Sequence, residues 1–129
     1  MSPRNLLARV DTLLLIGMGG FAGSILRYAT SLSFPGMPGT LLVNALGSLG
    51  LGFVLYGTMY SDMLTTETRM MISVGLLSSF TTYSTFALES TRSQPPWLVA
   101  NIVMNYGLGF AGILLGRALS RHLYSGWSR

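Results

Sequence analysis

The sequence predicts an all-α membrane protein, a single domain of four transmembrane helices that covers residues 1–129. Composition is the first reason, because half of the residues are hydrophobic and only 9% are charged, whereas a soluble domain has roughly 25% charged residues. The second reason is the presence of four apolar stretches, each close to the roughly 20 residues that a membrane-spanning helix requires. These stretches cover residues 13–32, 40–60, 70–91 and 97–119, and the short connections between them leave no room for a soluble domain.

The first span carries small residues at Gly19 and Gly23 and ends near Arg27. Arginines upstream of an apolar run also occur in secretory signals, but this run is long, ends in an arginine and is followed by three further spans. From the sequence, Arg27 is either an anchor that reaches the membrane surface or a residue that gathers anions at a pore mouth. Small residues four apart predict close helix packing in lipid. The same spacing recurs in the second span at Ser48 and Gly52 and in the fourth span at Gly112 and Gly116.

Asparagines stand out in the second and fourth spans. Asn44 lies one turn from both Thr40 and Ser48 on the same helix face, and Asn101 and Asn105 share a face of the fourth span. Carboxamides offer N–H donors that suit an anion, and they also join helices through hydrogen bonds. Three amides that face a hydroxyl-rich third span favour a polar pathway.

The third span holds six serine and threonine side chains between residues 78 and 86, near its middle. Lipid offers no hydrogen-bond partners at that depth, so this much polarity indicates a function. Hydroxyl groups can satisfy backbone groups that a break in the helix has freed. They can also bond back to the preceding turn of a continuous helix. The sequence leaves both arrangements open for the segment from Ser78 to Thr85.

Three aromatic residues, Phe80, Tyr83 and Phe86, recur every third position, which predicts that they lie on one helix face. Positive ring edges along a narrow passage attract a small anion, although such a stripe is also typical of ordinary packing. The span has no acidic residue before Glu89, so it lacks the midplane ionisable group that cation-coupled transporters use. No catalytic set is visible, since the single histidine, His122, lies beyond the fourth span and the chain has no cysteine. We therefore expect that the protein is not an enzyme.

The charges predict an orientation in the membrane. All eight basic residues are arginines scattered along the chain, which is typical of helix anchors and topology signals rather than of nucleic-acid binding. Six arginines lie on the side of the termini and the second loop, and two lie on the other side. By the positive-inside rule both termini are cytoplasmic. The six are Arg4, Arg9, Arg69, Arg117, Arg121 and Arg129, and the two are Arg27 and Arg92.

Three motifs together resemble the Fluc (CrcB) family of fluoride channels. Their order and spacing extend the resemblance over essentially the whole chain. The motifs are Gly19-Gly20-xx-Gly23-xxx-Arg27-Tyr28 in the first span, Gly39-Thr40-Leu41-xx-Asn44-xx-Gly47 in the second, and Thr81-Thr82-Tyr83-Ser84-Thr85-Phe86 in the third.

The resemblance implies a passive, fluoride-selective channel of the cell membrane that lets fluoride leave the cytoplasm. It implies an antiparallel, dual-topology dimer with two pores, in which the third helix is broken near the midplane. It also implies that Asn44 faces the pore and that Tyr83 and Phe86 coordinate fluoride through ring edges. The other implied pore residues are the hydroxyls of Ser84 and Thr85, the polar face of Asn101 and Asn105, Glu89, and Arg27 in the vestibule.

The resemblance further implies a structural sodium ion that is not transported and is held by the main-chain carbonyls of Ser78 and Thr81. A fixed cation beside the pores would offset the cost of bringing an anion to the midplane. Two positions depart from the family pattern, which usually has phenylalanine where Tyr83 stands and glycine where Ser78 stands. Serine tolerates unusual backbone angles less readily than glycine does.

The arginine asymmetry bears on the partner. An antiparallel homodimer needs one sequence to insert in both orientations, whereas six arginines against two indicate one orientation. The chain is therefore expected to form either a homodimer or a heterodimer with a sister subunit of opposite orientation. Two alternatives remain: a non-conducting or partner-dependent subunit of a heterodimeric fluoride channel, and a small multidrug transporter. The transporter would need a membrane-embedded glutamate in the first span, which carries Arg27 instead.

Overall fold

The computed structural model describes residues 3–60 and 64–124, and every regular element in these ranges is helical. Arg129, which contributes to the charge asymmetry, lies outside the described residues. The elements in chain order are α1 (Pro3–Ser33), α2 (Met37–Tyr60), α3 (Thr66–Met70), a π-helical segment (Met71–Leu77), α4 (Ser78–Phe80), α5 (Ser84–Arg92) and α6 (Pro95–Tyr124).

Four stretches of this chain are long and apolar enough to cross a membrane, which confirms the predicted number of spans. Each extends a few residues beyond an end of the apolar run from which it was predicted. Helical hydrogen bonding continues into the more polar flanking sequence, whereas hydropathy marks only the apolar centre. The four spans are Arg9–Ser33, Met37–Met59, Thr66–Arg92 and Pro95–Tyr124. The stretch Thr66–Arg92, which contains α3 to α5, is called the third span below.

The first connection is short because a glycine turns the chain sharply. Gly36 has a φ of 75°, a left-handed conformation that glycine adopts without a steric penalty. Its carbonyl accepts the backbone amides of Gly39 (3.0 Å) and Thr40 (3.3 Å). The turn therefore places the start of α2 close to the end of α1, with Thr40 in the first turn of the second span.

Small residues form the two main helix contacts, as their spacing predicted. Between α2 and α6, a Cβ on Gly52 would lie 2.8 Å from the Cα atom of Ile113, and one on Gly112 would lie 3.1 Å from the amide nitrogen of Leu49. Between α1 and the π-helical segment, a Cβ on Gly23 would lie 3.1 Å from the Cα atom of Leu76. These seams leave no space for a side chain, which is the close approach that glycine permits in membrane helices.

The interior of the described chain is more polar than apolar. Val43 and Phe86 are its buried hydrophobic side chains. The buried polar side chains are Thr40, Thr82, Ser90, Asn101 and Ser120. Large apolar residues on α1 and α6 are exposed instead, and in the most apolar window of each of these helices only 11% of residues are buried. Such surfaces suit lipid or a second chain, while the polar interior has to satisfy its own hydrogen bonds.

Candidate functional site

The third span is interrupted at the hydroxyl-rich segment. The α-helix ends at Phe80, Thr81 is extended with φ −74° and ψ 161°, and α5 begins at Ser84. Threonine hydroxyls bond to the helix ends on both sides. The hydroxyl of Thr81 donates to the carbonyl of Leu77 (3.2 Å), and the hydroxyl of Thr82 accepts the amide of Thr85 (3.2 Å). Both arrangements that the sequence left open thus occur, because Thr81 bonds back to the preceding turn while residues 81–83 leave the helix.

Asn44 supplies the hydrogen bonds that the interruption removes from the backbone of Thr82. The amide of Thr82 donates to Oδ1 of Asn44 at 2.8 Å, and Nδ2 of Asn44 donates to the carbonyl of Thr82 at 3.0 Å. A carboxamide has the donor and acceptor of a peptide group, so it can pair with both polar groups of one residue. The second span therefore stabilises the non-helical backbone of the third, as buried irregular backbone requires.

The amide network continues into α6. The second hydrogen on Nδ2 of Asn44 is donated to Oδ1 of Asn105 (2.9 Å). Asn105 in turn donates to Oδ1 of Asn101 (2.8 Å) and to its carbonyl (3.1 Å). Asn101 donates to Oγ of Ser90 (2.9 Å) in α5. The three asparagines predicted as a polar face are thus joined across α2 and α6.

A cavity of about 420 Å³ lies among α2, the third span and α6. Its polar lining includes Asn44 and Asn105 together with the part of the hydroxyl-rich segment from Ser78 to Tyr83, and its apolar lining includes Phe86 and the neighbouring ring of Tyr106. Ser84 and Thr85, which were also predicted to line the pore, are not part of this lining. The structure does not place Asn101 in this lining, since that side chain is 2% exposed behind Asn105. The polar lining residues are Asn44, Ser48, Ser73, Ser78, Thr81, Thr82, Tyr83, Asn105 and Tyr106.

Two charged side chains line a second cavity, which has a volume of about 380 Å³. Arg27 and Glu89 both line it, and so does Thr85, which lies in the first turn of α5. The hydroxyl of Thr40 donates to Oε1 of Glu89 at 3.0 Å, while Oε2 of Glu89 is buried and has no hydrogen-bond partner among the described residues. Thr82 lines this cavity as well as the first. A polar lining therefore extends from the Arg27 end of the protein to the amides.

The aromatic rings differ from the sequence prediction. A single helix face for Phe80, Tyr83 and Phe86 is wrong, because the helix ends at Phe80 and resumes only at Ser84. Tyr83 and Phe86 instead form a tilted pair with ring centres 5.7 Å apart. Phe86 is 7% exposed and meets Tyr106 edge to face at 6.0 Å, whereas Tyr83 is 72% exposed. The pair predicted to coordinate an anion is thus brought together, with one ring buried and one facing outward.

Three residues of this region were absent from the predicted site. Thr82 belongs to the hydroxyl run, and its central position became evident only with the contacts to Asn44. Tyr106 directly follows Asn105, which was a weak sequence signal. Ser90 gave no signal, because one serine near the end of a span is common in membrane helices. Metal ligands of the usual side-chain type do not cluster, since the described residues contain no group of three or more His, Cys, Asp or Glu.

Comparison with known proteins gives one family. The model of the family described as CrcB-like protein, Camphor Resistance (CrcB), matches residues 14–117. The chain is 51% identical over 126 residues to the fluoride-specific ion channel FluC 1 of Haloarcula marismortui, covering 98% of each chain. It is 43% identical over 107 residues to FluC 2 of Halobacterium salinarum, covering 82% of this chain and 84% of the relative. Methanosarcina barkeri has two similar proteins, FluC 2 at 35% identity (88% of this chain, 90% of the relative) and FluC 3 at 36% (84% and 89%).

Proposed function

The chain belongs to the CrcB family, and from this premise we propose that it is a fluoride-specific ion channel through which fluoride leaves the cytoplasm passively. Its full-length relatives carry that name, including one at 51% identity. The same identity places it among ion channels and not among enzymes. The four spans support a multi-pass membrane protein. The membrane we propose is the cell membrane, with both termini on the cytoplasmic side as the arginine distribution predicts.

The observation that carries the proposal is the polar route formed by the two cavities, which share Thr82. Arg27 at one end raises the local concentration of anions. The hydroxyls of Thr85, which lines the second cavity, and of Ser84, whose Oγ lies 3.4 Å from that of Thr82, supply hydrogen-bond donors that replace the water around a small anion. Asn44 and Asn105 line the same route, and because their N–H bonds are used within the protein they hold its polar wall in place. Asn101 supports this lining from behind. Passage needs no proton coupling, so it follows the fluoride gradient.

The aromatic pair narrows the route. Ring edges carry partial positive charge, so Tyr83 and Phe86 can meet fluoride at their edges while the apolar surface keeps water scarce. The edge-to-face contact with Tyr106 holds the buried ring of Phe86 in place. The hydroxyl of Tyr83 adds a donor that phenylalanine lacks, and it suits a strongly hydrogen-bonding anion. Larger halides would gain less from such donors and would have to shed their water in the same narrow space.

We also propose the structural sodium ion, and the donor set at the interruption supports it. In a continuous helix the amides of Thr82 and Thr85 would bond to the carbonyls of Ser78 and Thr81. Here they donate to Asn44 and to the hydroxyl of Thr82. Neither carbonyl therefore accepts its helical amide, although that of Ser78 accepts the hydroxyl of Thr81 at 3.3 Å. Carbonyl oxygen, which has a second lone pair, is a ligand that hard cations prefer. A bound sodium ion would supply a fixed positive charge beside the route, and Ser78 adopts ordinary helical angles (φ −65°, ψ −35°), so a glycine is not needed there.

The assembly we propose is an antiparallel pair in which the interruption lies near the midplane. One chain leaves Tyr83 largely exposed and large apolar surfaces uncovered on α1 and α6, which supports a partner that completes the pore. The six-to-two arginine distribution favours a single orientation for this chain. Several numbered relatives within one organism, such as FluC 2 and FluC 3 of Methanosarcina barkeri, support a sister subunit of opposite orientation.

Fluoride efflux from liposomes tests these proposals. The protein purified from this gene alone is reconstituted, and fluoride release is followed with an electrode while a potassium ionophore balances charge. Fluoride release without chloride release supports the channel. Robust release from the single gene product removes the need for a sister subunit, and release only after co-expression with such a subunit establishes it. Failure in both preparations would contradict the channel and favour the accessory role, while proton-coupled export of a cationic drug would favour the multidrug transporter.

A further inference from the structure

A chain of hydrogen bonds links the interruption of the third span to Ser90, and the donor and the acceptor of each bond are fixed by the bond before it. Its first member is the backbone of Thr82, whose N–H can only donate and whose carbonyl can only accept. The carboxamide of Asn44 must therefore turn Oδ1 to the N–H and Nδ2 to the carbonyl, as the distances of 2.8 and 3.0 Å show. The orientation of this amide is thus set by the backbone and not by a choice between two equivalent flips.

The orientation of Asn44 in turn fixes the orientation of Asn105 in α6. With one N–H on Thr82, Asn44 has one N–H left, which it donates to Oδ1 of Asn105. Asn105 must then turn Nδ2 to Asn101, where the carbonyl and Oδ1 accept its two hydrogens. All four N–H bonds of Asn44 and Asn105 are consequently used within the protein. In this arrangement Asn44 acts first as a clamp on the Thr82 peptide.

Asn101 completes the chain on Ser90. Since Oδ1 of Asn101 accepts from Asn105, its Nδ2 must find an acceptor on the other side, and Oγ of Ser90 lies there at 2.9 Å. Asn101 is 2% exposed and Ser90 is 5% exposed, so no water is at hand to replace this bond. Neither side chain lines the two cavities that form the proposed route.

We propose that Ser90 is a positioning residue that holds the Asn44 clamp on the Thr82 peptide through Asn101 and Asn105. Without the Ser90 oxygen, the buried Nδ2 of Asn101 has no acceptor. If the Asn101 amide turns over, its Nδ2 faces Nδ2 of Asn105, and two donors oppose each other. Asn105 then turns as well, and Asn44 loses the acceptor of its second hydrogen. The peptide of Thr82, which lies where the two cavities meet, is released. The consequence for ion flow rests on the proposed function, whereas the consequence for the clamp does not.

Hydrogen exchange of the Thr82 amide tests the clamp directly. We expect Ser90→Ala to speed this exchange about ten-fold, which corresponds to about 1.4 kcal/mol, and Asn44→Ala to speed it at least as much. Ser90→Cys keeps the shape but has a weak acceptor and should resemble Ser90→Ala, so it covers the case in which the alanine variant fails to fold. Ser90→Thr keeps the oxygen and should stay within two-fold of wild type.

Ser120 provides the matched control. It is a fully buried serine of the same fold, and within residues 3–60 and 64–124 its Oγ has no hydrogen-bond partner. Ser120→Ala removes the same atom without touching the amide chain, so the exchange of Thr82 should stay within two-fold of wild type. Equal exchange of Thr82 in wild type, Ser90→Ala and Ser90→Cys would overturn the proposal, as would an equal acceleration in Ser120→Ala.

A double-mutant cycle on the rate of fluoride efflux is the second test of the proposal. Ser90→Ala should lower the efflux rate about ten-fold, and the double variant with Asn44→Ala should be no slower than Asn44→Ala alone, because both act on one clamp. If the double variant instead lowered the efflux rate by the product of the two single effects, Ser90 would act independently of Asn44, and the proposal would be rejected. A wild-type protein that releases no fluoride would instead reject the proposed function, and the exchange experiment would still decide the role of Ser90.

Discussion

The seam between α1 and the third span should tolerate no side chain at Gly23, whereas Gly17 in the same helix should accept one. A Cβ on Gly23 would overlap the carbonyl oxygen of Leu76 and lie 3.0 Å from its carbonyl carbon, and these are backbone atoms that cannot turn aside. A Cβ on Gly17 would meet nothing within 4 Å in the described chain. Gly23→Ala and Gly17→Ala are therefore a matched pair of the same chemical change.

The magnitude follows from the gap that Gly23→Ala forces. To clear the overlap the helices must separate by about 1 Å, and a gap of that size forfeits about a quarter to a half of the dispersion attraction along the seam. Overpacking of this kind costs about 1–3 kcal/mol. Gly17→Ala carries no such cost, and the gain of about 0.8–1 kcal/mol for alanine over glycine in a helix is common to both variants and cancels. The two variants should thus differ in the free energy of unfolding by about 1–3 kcal/mol.

Reversible unfolding in a denaturing detergent, followed by circular dichroism, measures this difference. Gly107→Ala in α6 is a second control, because a Cβ there also meets nothing within 4 Å in the part of the chain that the structure describes. Equal stability of Gly23→Ala and Gly17→Ala would refute the reasoning, since it would mean that the two helices are not in backbone contact. A fall in stability for both controls would show instead that the exposed face of the chain is covered by a partner.

Three further outcomes are expected. Thr40→Val removes the hydrogen bond to the half-buried Glu89 and should lower the free energy of unfolding by about 1.5–3 kcal/mol, whereas Thr58→Val, which loses only a local bond, should change it by less than about 0.5 kcal/mol. Phe86→Leu replaces the ring edge that meets Tyr106 at 6.0 Å and should lower fluoride efflux at least about ten-fold, a loss of about 1.4 kcal/mol. Replacing sodium by a bulky organic cation on both sides of the membrane should lower the efflux rate and the thermal midpoint of the protein together, because carbonyl oxygens at the interruption lose their cation.

A specific result would contradict each of these three predictions. Equal stability of Thr40→Val and Thr58→Val would show that Glu89 does not depend on the Thr40 hydroxyl. Unchanged efflux in Phe86→Leu would remove the ring edges from the fluoride route. Efflux and thermal stability that are indifferent to sodium would argue against the cation site at Ser78 and Thr81 while leaving the channel itself in place.

Much of the architecture could be read from the sequence. Long apolar runs predict four spans because each helix must satisfy its backbone internally within lipid, and glycine spacing predicts which faces approach closely, as Gly52 and Gly112 do. The site was predicted in part. Asn44 and Asn105 do lie around one cavity with three residues of the hydroxyl run, Ser78, Thr81 and Thr82, whereas Asn101 lies behind it and Ser84 and Thr85 do not line it. Their roles toward fluoride and the antiparallel assembly stay predictions.

The amino-acid order alone determined where polarity enters the membrane and which groups can donate or accept hydrogen bonds there, because these are properties of single residues and of spacing along one helix. The tertiary structure decided which of those groups meet. Asn44 pairs with Thr82, 38 positions away, and with Asn105, 61 positions away. Such partners depend on how helices pack and on where the third span leaves its helix, and no local pattern encodes either. The same long-range packing separates Phe80 from the ring pair of Tyr83 and Phe86 and turns Asn101 toward Ser90.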